Sequence, residues 1–93
     1  MILGVLRVEL AVYESVSLKD KRRVVKSIKD RVSRQFNVSV AEVGHLDSRQ
    51  QATLAMAMVS NATDHVHRAF DRIIELVRRE HRASILSFDR EMM

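Results

Sequence analysis

In residues 6 to 12 every even position is apolar, with Leu6, Val8, Leu10 and Val12 separated by residues that include Arg7 and Glu9. A period of two is the signature of a strand that lays one face on a core and turns the other outward. From residue 18 the period changes: Leu18, Val25, Ile28, Val32 and Phe36 fall within about 80° of one another on a helical wheel, and Val24 widens the stripe. Ser17 stands where an N-cap belongs, with Asp20 three residues on in a weak form of the capping box.

The alternation then returns. "NVSVAEVG" ends at Gly44, the polar "HLDSRQ" follows, and "QATLAMAMVS" alternates again with Leu54, Met56 and Met58 on one face. Two strands and a short loop predict a hairpin. Asn61 is placed to cap a second helix, with Val66, Ala69, Phe70, Ile73, Leu76 and Val77 continuing at spacings of three and four. Arg78, Arg79 and Arg82 suit the C-terminal end of that helix and its dipole. "SILSFDR" reads as a last strand. The order β-α-β-β-α-β predicts an α+β, ferredoxin-like fold in which two helices pack on one face of a four-stranded antiparallel sheet.

With 93 residues the chain has material for one core, so residues 1–93 are expected to form a single domain. There is no cysteine, which excludes disulfides, thiolate catalysis and Cys-ligated metal and fits a cytoplasmic protein. No apolar run approaches the roughly 18 residues a membrane span needs.

Net charge is +4, but its distribution says more than its sum. Residues 18 to 35 hold eight bases, Lys19, Lys21, Arg22, Arg23, Lys26, Lys29, Arg31 and Arg34, against Asp20 and Asp30. That segment carries +6 and the rest of the chain −2, so a localised acidic partner is expected. The topology also brings three connections to one edge of the sheet, here called the upper edge: the turn into the first helix, the hairpin loop and the end of the second helix. Lys19, Lys21, Arg22, Arg23, Arg49, Arg78, Arg79 and Arg82 are expected to collect there.

The segments "SLKDKRRVVKSIKDRV", "FNVSVAEVGHLDSRQQATLAMAMVSN" and "SFDRE" resemble the small uncharacterised bacterial YlxP-like family over almost the whole chain. The resemblance implies a ferredoxin-like fold and, because genes of such proteins often lie among genes for translation initiation and ribosome maturation, a role near RNA. It draws attention to Lys19, Lys21, Arg22, Arg23 and Lys26, and to Glu42, His45 and Asp47 in the hairpin segment. It carries no catalytic residue over.

The expected function is binding of RNA or a ribosomal surface without sequence reading, through Lys19, Lys21, Arg22, Arg23, Lys26, Arg49, Arg78 and Arg79. Lysine and arginine displace counterions condensed on phosphates, which makes such binding salt dependent. Base stacking is not expected, since the third strand offers Thr53, Ala55, Ala57 and Val59 to the open face where an RNA-reading sheet needs aromatics. The alternative is a protein-interaction or small-anion module, with Ser17, Lys21 and His45 enclosing a phosphate or carboxylate. Lys21 stands out because the wheel puts it inside the apolar sector; a snorkelling lysine in the first turn accounts for that without function.

No catalytic template is present: there is no glycine-rich phosphate loop and no G-x-S-x-G, and an acid-base pair of His45 with Asp47 reads more simply as a polar turn. His65 and His67 point about 200° apart on a helix and cannot share a metal. No cofactor is expected. The uncovered sheet face, with Leu3, Val5, Ala11, Ala55, Ala57 and Val59, points to a homodimer.

Overall fold

The computed structural model describes residues 1–93. Its elements are β1 (Ile2–Val12), α1 (Leu18–Gln35), β2 (Ser39–Gly44), β3 (Gln51–Ser60), α2 (Thr63–Arg78) and β4 (Ala83–Met92). They form one antiparallel sheet in the order β2-β3-β1-β4, with both helices on one face. This is the ferredoxin-like architecture.

The period-two reading of β1 holds to its last residue, because Leu6, Val8, Leu10 and Val12 are all buried under the helices. β3 lays Ala52, Leu54, Met56 and Met58 on the same side. Val24, Val25, Ile28 and Val32 of α1 meet them, as do Val66, Phe70, Ile73 and Val77 of α2, in one cluster of twenty buried apolar residues. At roughly 1.5–3 kcal/mol for each fully buried large side chain, that cluster is the main source of stability. Gly4 permits the close approach of α2 to β1: a Cβ there would lie 2.5 Å from Val66 Cγ1.

Two expectations are corrected. Asn61 does not cap α2; Ala62 occupies that position with no side-chain cap, and the Ser60 hydroxyl instead accepts from the Ala62 amide. Arg82 lies beyond the helix, in the turn after Arg78. β4 also extends further than expected, running to Met92, because Val5 and Gly4 of β1 pair with Glu91 and Met92. The ladders shift register between Glu42 and Gly44 on β2, and on β4 opposite Glu9 and Leu10, where Leu86 is the extra residue.

No helix is long and apolar enough to cross a membrane.

Candidate functional site

The first turn of α1 is fixed as its sequence requires. Ser17 has extended backbone and its hydroxyl accepts from the Asp20 amide at 3.1 Å. Asp20 returns a bond to the Val16 amide at 3.2 Å, one residue earlier than a strict capping box would place it. With that start, the buried stripe of Val24, Val25, Ile28 and Val32 turns Lys19, Arg22, Arg23 and Lys26 to the solvent side.

Lys21 does not join them. It is 0% exposed, and its ammonium group donates to the carbonyls of His45 at 2.8 Å and Gln51 at 3.1 Å, with Leu46 at 3.5 Å. Glu42 Oε2 lies 2.8 Å away, in ion-pair range but off the direction of a good hydrogen bond, so this contact is chiefly coulombic. Lys21 therefore ties α1 to both ends of the hairpin loop. This overturns the expectation that it contacts phosphate, and the snorkelling account with it: the lysine is enclosed because inward-facing Glu42 and a ring of loop carbonyls replace its water.

The other anion candidates do not converge either. The Ser17 hydroxyl is engaged with Asp20, and the His45 ring lies 3.8 Å from Glu9 Oε2, on the open side of the sheet. What the upper edge does form is a polar cleft of about 380 Å³ between the turn into α1 and the hairpin loop, lined by Ser15, Val16, Ser48, Arg49 and Gln50. Arg49 reaches the Val16 carbonyl at 3.5 Å and Gln50 reaches that of Ser15 at 3.5 Å. The cation at this cleft is thus Arg49.

The bases at the end of α2 divide. Arg78 pairs with Glu75 at 2.9 Å and sits over the Phe88 ring at 5.9 Å, on the β4 side of the helix. Arg79 is exposed with no carboxylate in ion-pair range. Arg82 is held by buried Glu80 through two guanidinium bonds, at 2.8 and 2.9 Å. Those bonds, with the Arg82 amide and Arg31 at 3.9 Å, pull the Glu80 carboxyl down to about 2. Arg82 is therefore part of the framework and is not free at the edge.

The outward face of α1 is the most concentrated charge on the molecule. Lys19, Arg22, Arg23, Lys29 and Arg34 have no carboxylate in ion-pair range. Of the two acids in the segment, Asp20 is committed to the cap and Asp30 to Lys26 at 2.8 Å. The Lys26 bond, with the charges of Lys26, Arg34 and Lys29, holds the Asp30 carboxyl below the ordinary carboxylate range. A shallow groove of about 340 Å³ runs along this flank between Arg23, Lys26, Arg31 and Arg34.

The family model described as "Protein of unknown function (DUF503)" matches residues 3–90. The chain belongs to the DUF503 family. A curated relative, the uncharacterized protein YlxP of Bacillus subtilis (strain 168), is 33% identical over 75 residues, 81% of this chain and 82% of its own. This DUF503 chain is also similar to solved structures of low identity. A de novo designed protein with ferredoxin fold has a TM-score of 0.55 at 19% identity, covering 99% of this chain and 85% of its own. SnoaB of Streptomyces nogalater, a cofactor-independent oxygenase, has a TM-score of 0.56 at 10% identity, covering 100% and 92%. A dimeric ferredoxin-like protein from an uncultured marine organism has a TM-score of 0.50 at 9% identity, covering 100% and 96%. At such identities the likeness concerns the fold alone.

Proposed function

We propose that this protein binds the phosphate backbone of RNA, free or on a ribosomal surface, through the outward face of α1, without reading sequence and without catalysis. It acts in this reading as a cytoplasmic homodimer near translation or ribosome maturation. The observation that carries the reading is the row of cations Lys19, Arg22, Arg23, Lys29 and Arg34, none neutralised by an acid of its own chain. At 1.5 Å per residue this row extends roughly 22 Å from Lys19 to Arg34, long enough to follow several phosphates. Lys26 shares the face and exchanges Asp30 for a phosphate; Arg49 and Arg79 flank it from the upper edge.

Backbone contact rather than base stacking is favoured by the sheet. Its open face presents Leu3, Val5, Ala55, Ala57 and Val59, none of them a ring on which a base stacks. The test is binding to ribosomal RNA fragments by the R22E/R23E/K26E variant, with circular dichroism as the control for folding. Loss of binding in a folded variant is expected, and unchanged binding would sink the reading.

A second reading, a small-anion site, is favoured by the cleft at Arg49 with the Ser48 hydroxyl beside it. Phosphate should then raise the melting temperature of the parent protein but not of Arg49→Ala, and Lys26→Ala should behave as the parent.

A further inference from the structure

The open face of the sheet carries a charge arrangement that the helix-side reading does not use. Arg7 and Glu9 are adjacent outward positions on the inner strand β1, flanked by Ala55 and Thr53 of β3 on one side and by Asp89 and Ser87 of β4 on the other. Arg7 is exposed, and no carboxylate is in ion-pair range, even though Asp89 is its register partner on β4. Glu9 is half-buried, and its Oε2 accepts from the Thr53 hydroxyl at 2.6 Å, with His45 Nε2 3.8 Å away. Its other oxygen, Oε1, has no partner within the chain. One strand therefore presents an unmatched cation and a half-matched anion, two residues apart.

We propose that two copies pack open face to open face about a two-fold axis that crosses β1 at Val8, perpendicular to the strands. Such an axis reverses each strand over itself. Arg7 then lies over the partner's Glu9, and Glu9 over the partner's Arg7, so one operation satisfies both charges twice. The register of the sheet carries the same reversal to its neighbours. Val8 is opposite Leu54, and Leu54 opposite Glu42, so Ala55 faces the partner's Thr53 and Ala41 the partner's Gly44, the residue in register with Thr53. Val5 meets the partner's Ala11 on β1 itself. Asp89, beside Phe88 at the same level, meets the partner's Ser87 and no second acid.

Other axes in the plane of the interface do worse. An axis parallel to the strands between β1 and β3 puts Arg7 over the partner's Ala55 and leaves both charges unmatched. One between β1 and β4 pairs Arg7 with the partner's Asp89 but carries β2 and β3 past the partner's sheet, uncovering Ala41, Val43, Ala55 and Ala57. The Val8 axis alone among these covers all four strands and matches charge. Four strands about 4.8 Å apart and about eight residues long present on the order of 500 Å² per copy, near the lower bound for a specific interface. The central ion pairs fix the register of packing more than they add to its strength.

This geometry rests on the homodimer of the reading above and is independent of RNA. The test uses two single variants, Arg7→Glu and Glu9→Arg, in sedimentation at several loading concentrations, alone and mixed. Each alone places like charges together twice, so each should self-associate at least about tenfold more weakly than the parent. Mixed, they restore both contacts, and a dimer containing one copy of each should form at the affinity of the parent. The double swap, R7E/E9R, should dimerise as the parent does. Circular dichroism confirms that each chain is folded, and Arg7→Glu, which removes no internal hydrogen bond, serves if Glu9→Arg does not fold. Dimers that persist in both single variants overturn this axis and leave the homodimer standing; a monomeric parent protein overturns both.

Discussion

Lys21 Nζ stands 2.8 Å from the carbonyl oxygen of His45, a residue whose backbone is left-handed at φ 57°. The lysine thus holds in place a turn that few non-glycine residues adopt. The turn in turn supplies the carbonyl that lets a lysine be enclosed. Lys21→Met leaves Glu42 and the loop carbonyls buried without their cation, and should cost about 3 kcal/mol, lowering the melting temperature by about 15 °C. Adding Glu42→Met recovers only part of this in thermal melts, because the carbonyls stay unsatisfied. RNA binding by the folded fraction should be unchanged.

The proposed RNA binding predicts a salt dependence that separates the outward bases from the inward one. If the five unpaired cations of α1 each neutralise a phosphate of duplex RNA, log K against log salt should fall with a slope of about −4.5. Arg23→Gln should make that slope shallower by about 1. Lys21→Met should not alter it. Fluorescence anisotropy over a salt series measures all three.

Acid should destabilise the protein through Glu80. Its carboxyl is lowered from 4.5 to about 2, first by the side-chain bond from Arg82 and then by the Arg82 amide and the charges of Arg82 and Arg31. A depressed folded value means that the stabilisation is complete above the unfolded value and is lost as pH falls from about 4.5 toward 2. The amount is on the order of 2–3 kcal/mol. Glu80→Gln should be less stable at neutral pH and show a flatter acid limb in urea denaturation series between those two values.

At Gly4, β1 comes too close to α2 to leave room for a side chain. An added Cβ meets Val66 Cγ1 at 2.5 Å and two ring carbons of Phe70 at 3.1 and 3.2 Å. Gly4→Ala should cost about 1–3 kcal/mol by overpacking. Shortening the obstruction, in G4A/V66A, should recover part of that, and a double-mutant cycle of chemical denaturation midpoints reads the coupling.

The fold was legible because its elements obey two clean periods. Leu6 to Val12 and Leu54 to Met58 gave the strands their inner faces, and the stripe from Val24 to Val32 gave α1 its inner face. The cap at Ser17 was legible for the same local reason, whereas the start of α2 was not, since Ala62 lacks a side chain that signals a cap. The site was less so. The wheel located Lys21 inward but not its partner, which is 21 residues away on another element. A signal for it existed: Glu42 shares the inward side of β2 with Val40, so two opposite charges pointed at one core. The locking of Arg82 by Glu80 left no such trace, because a turn has no period from which to predict direction.

The register shifts near both ends of the sheet order have a consequence at high protein concentration. β2 is short and irregular between Glu42 and Gly44, and β4 bends where Leu86 is inserted. A kinked margin offers an incoming strand a broken row of donors and acceptors, so lateral growth into ribbons is disfavoured. Of the whole sheet, its two free margins, β2 and β4, are thereby the parts least able to act as templates.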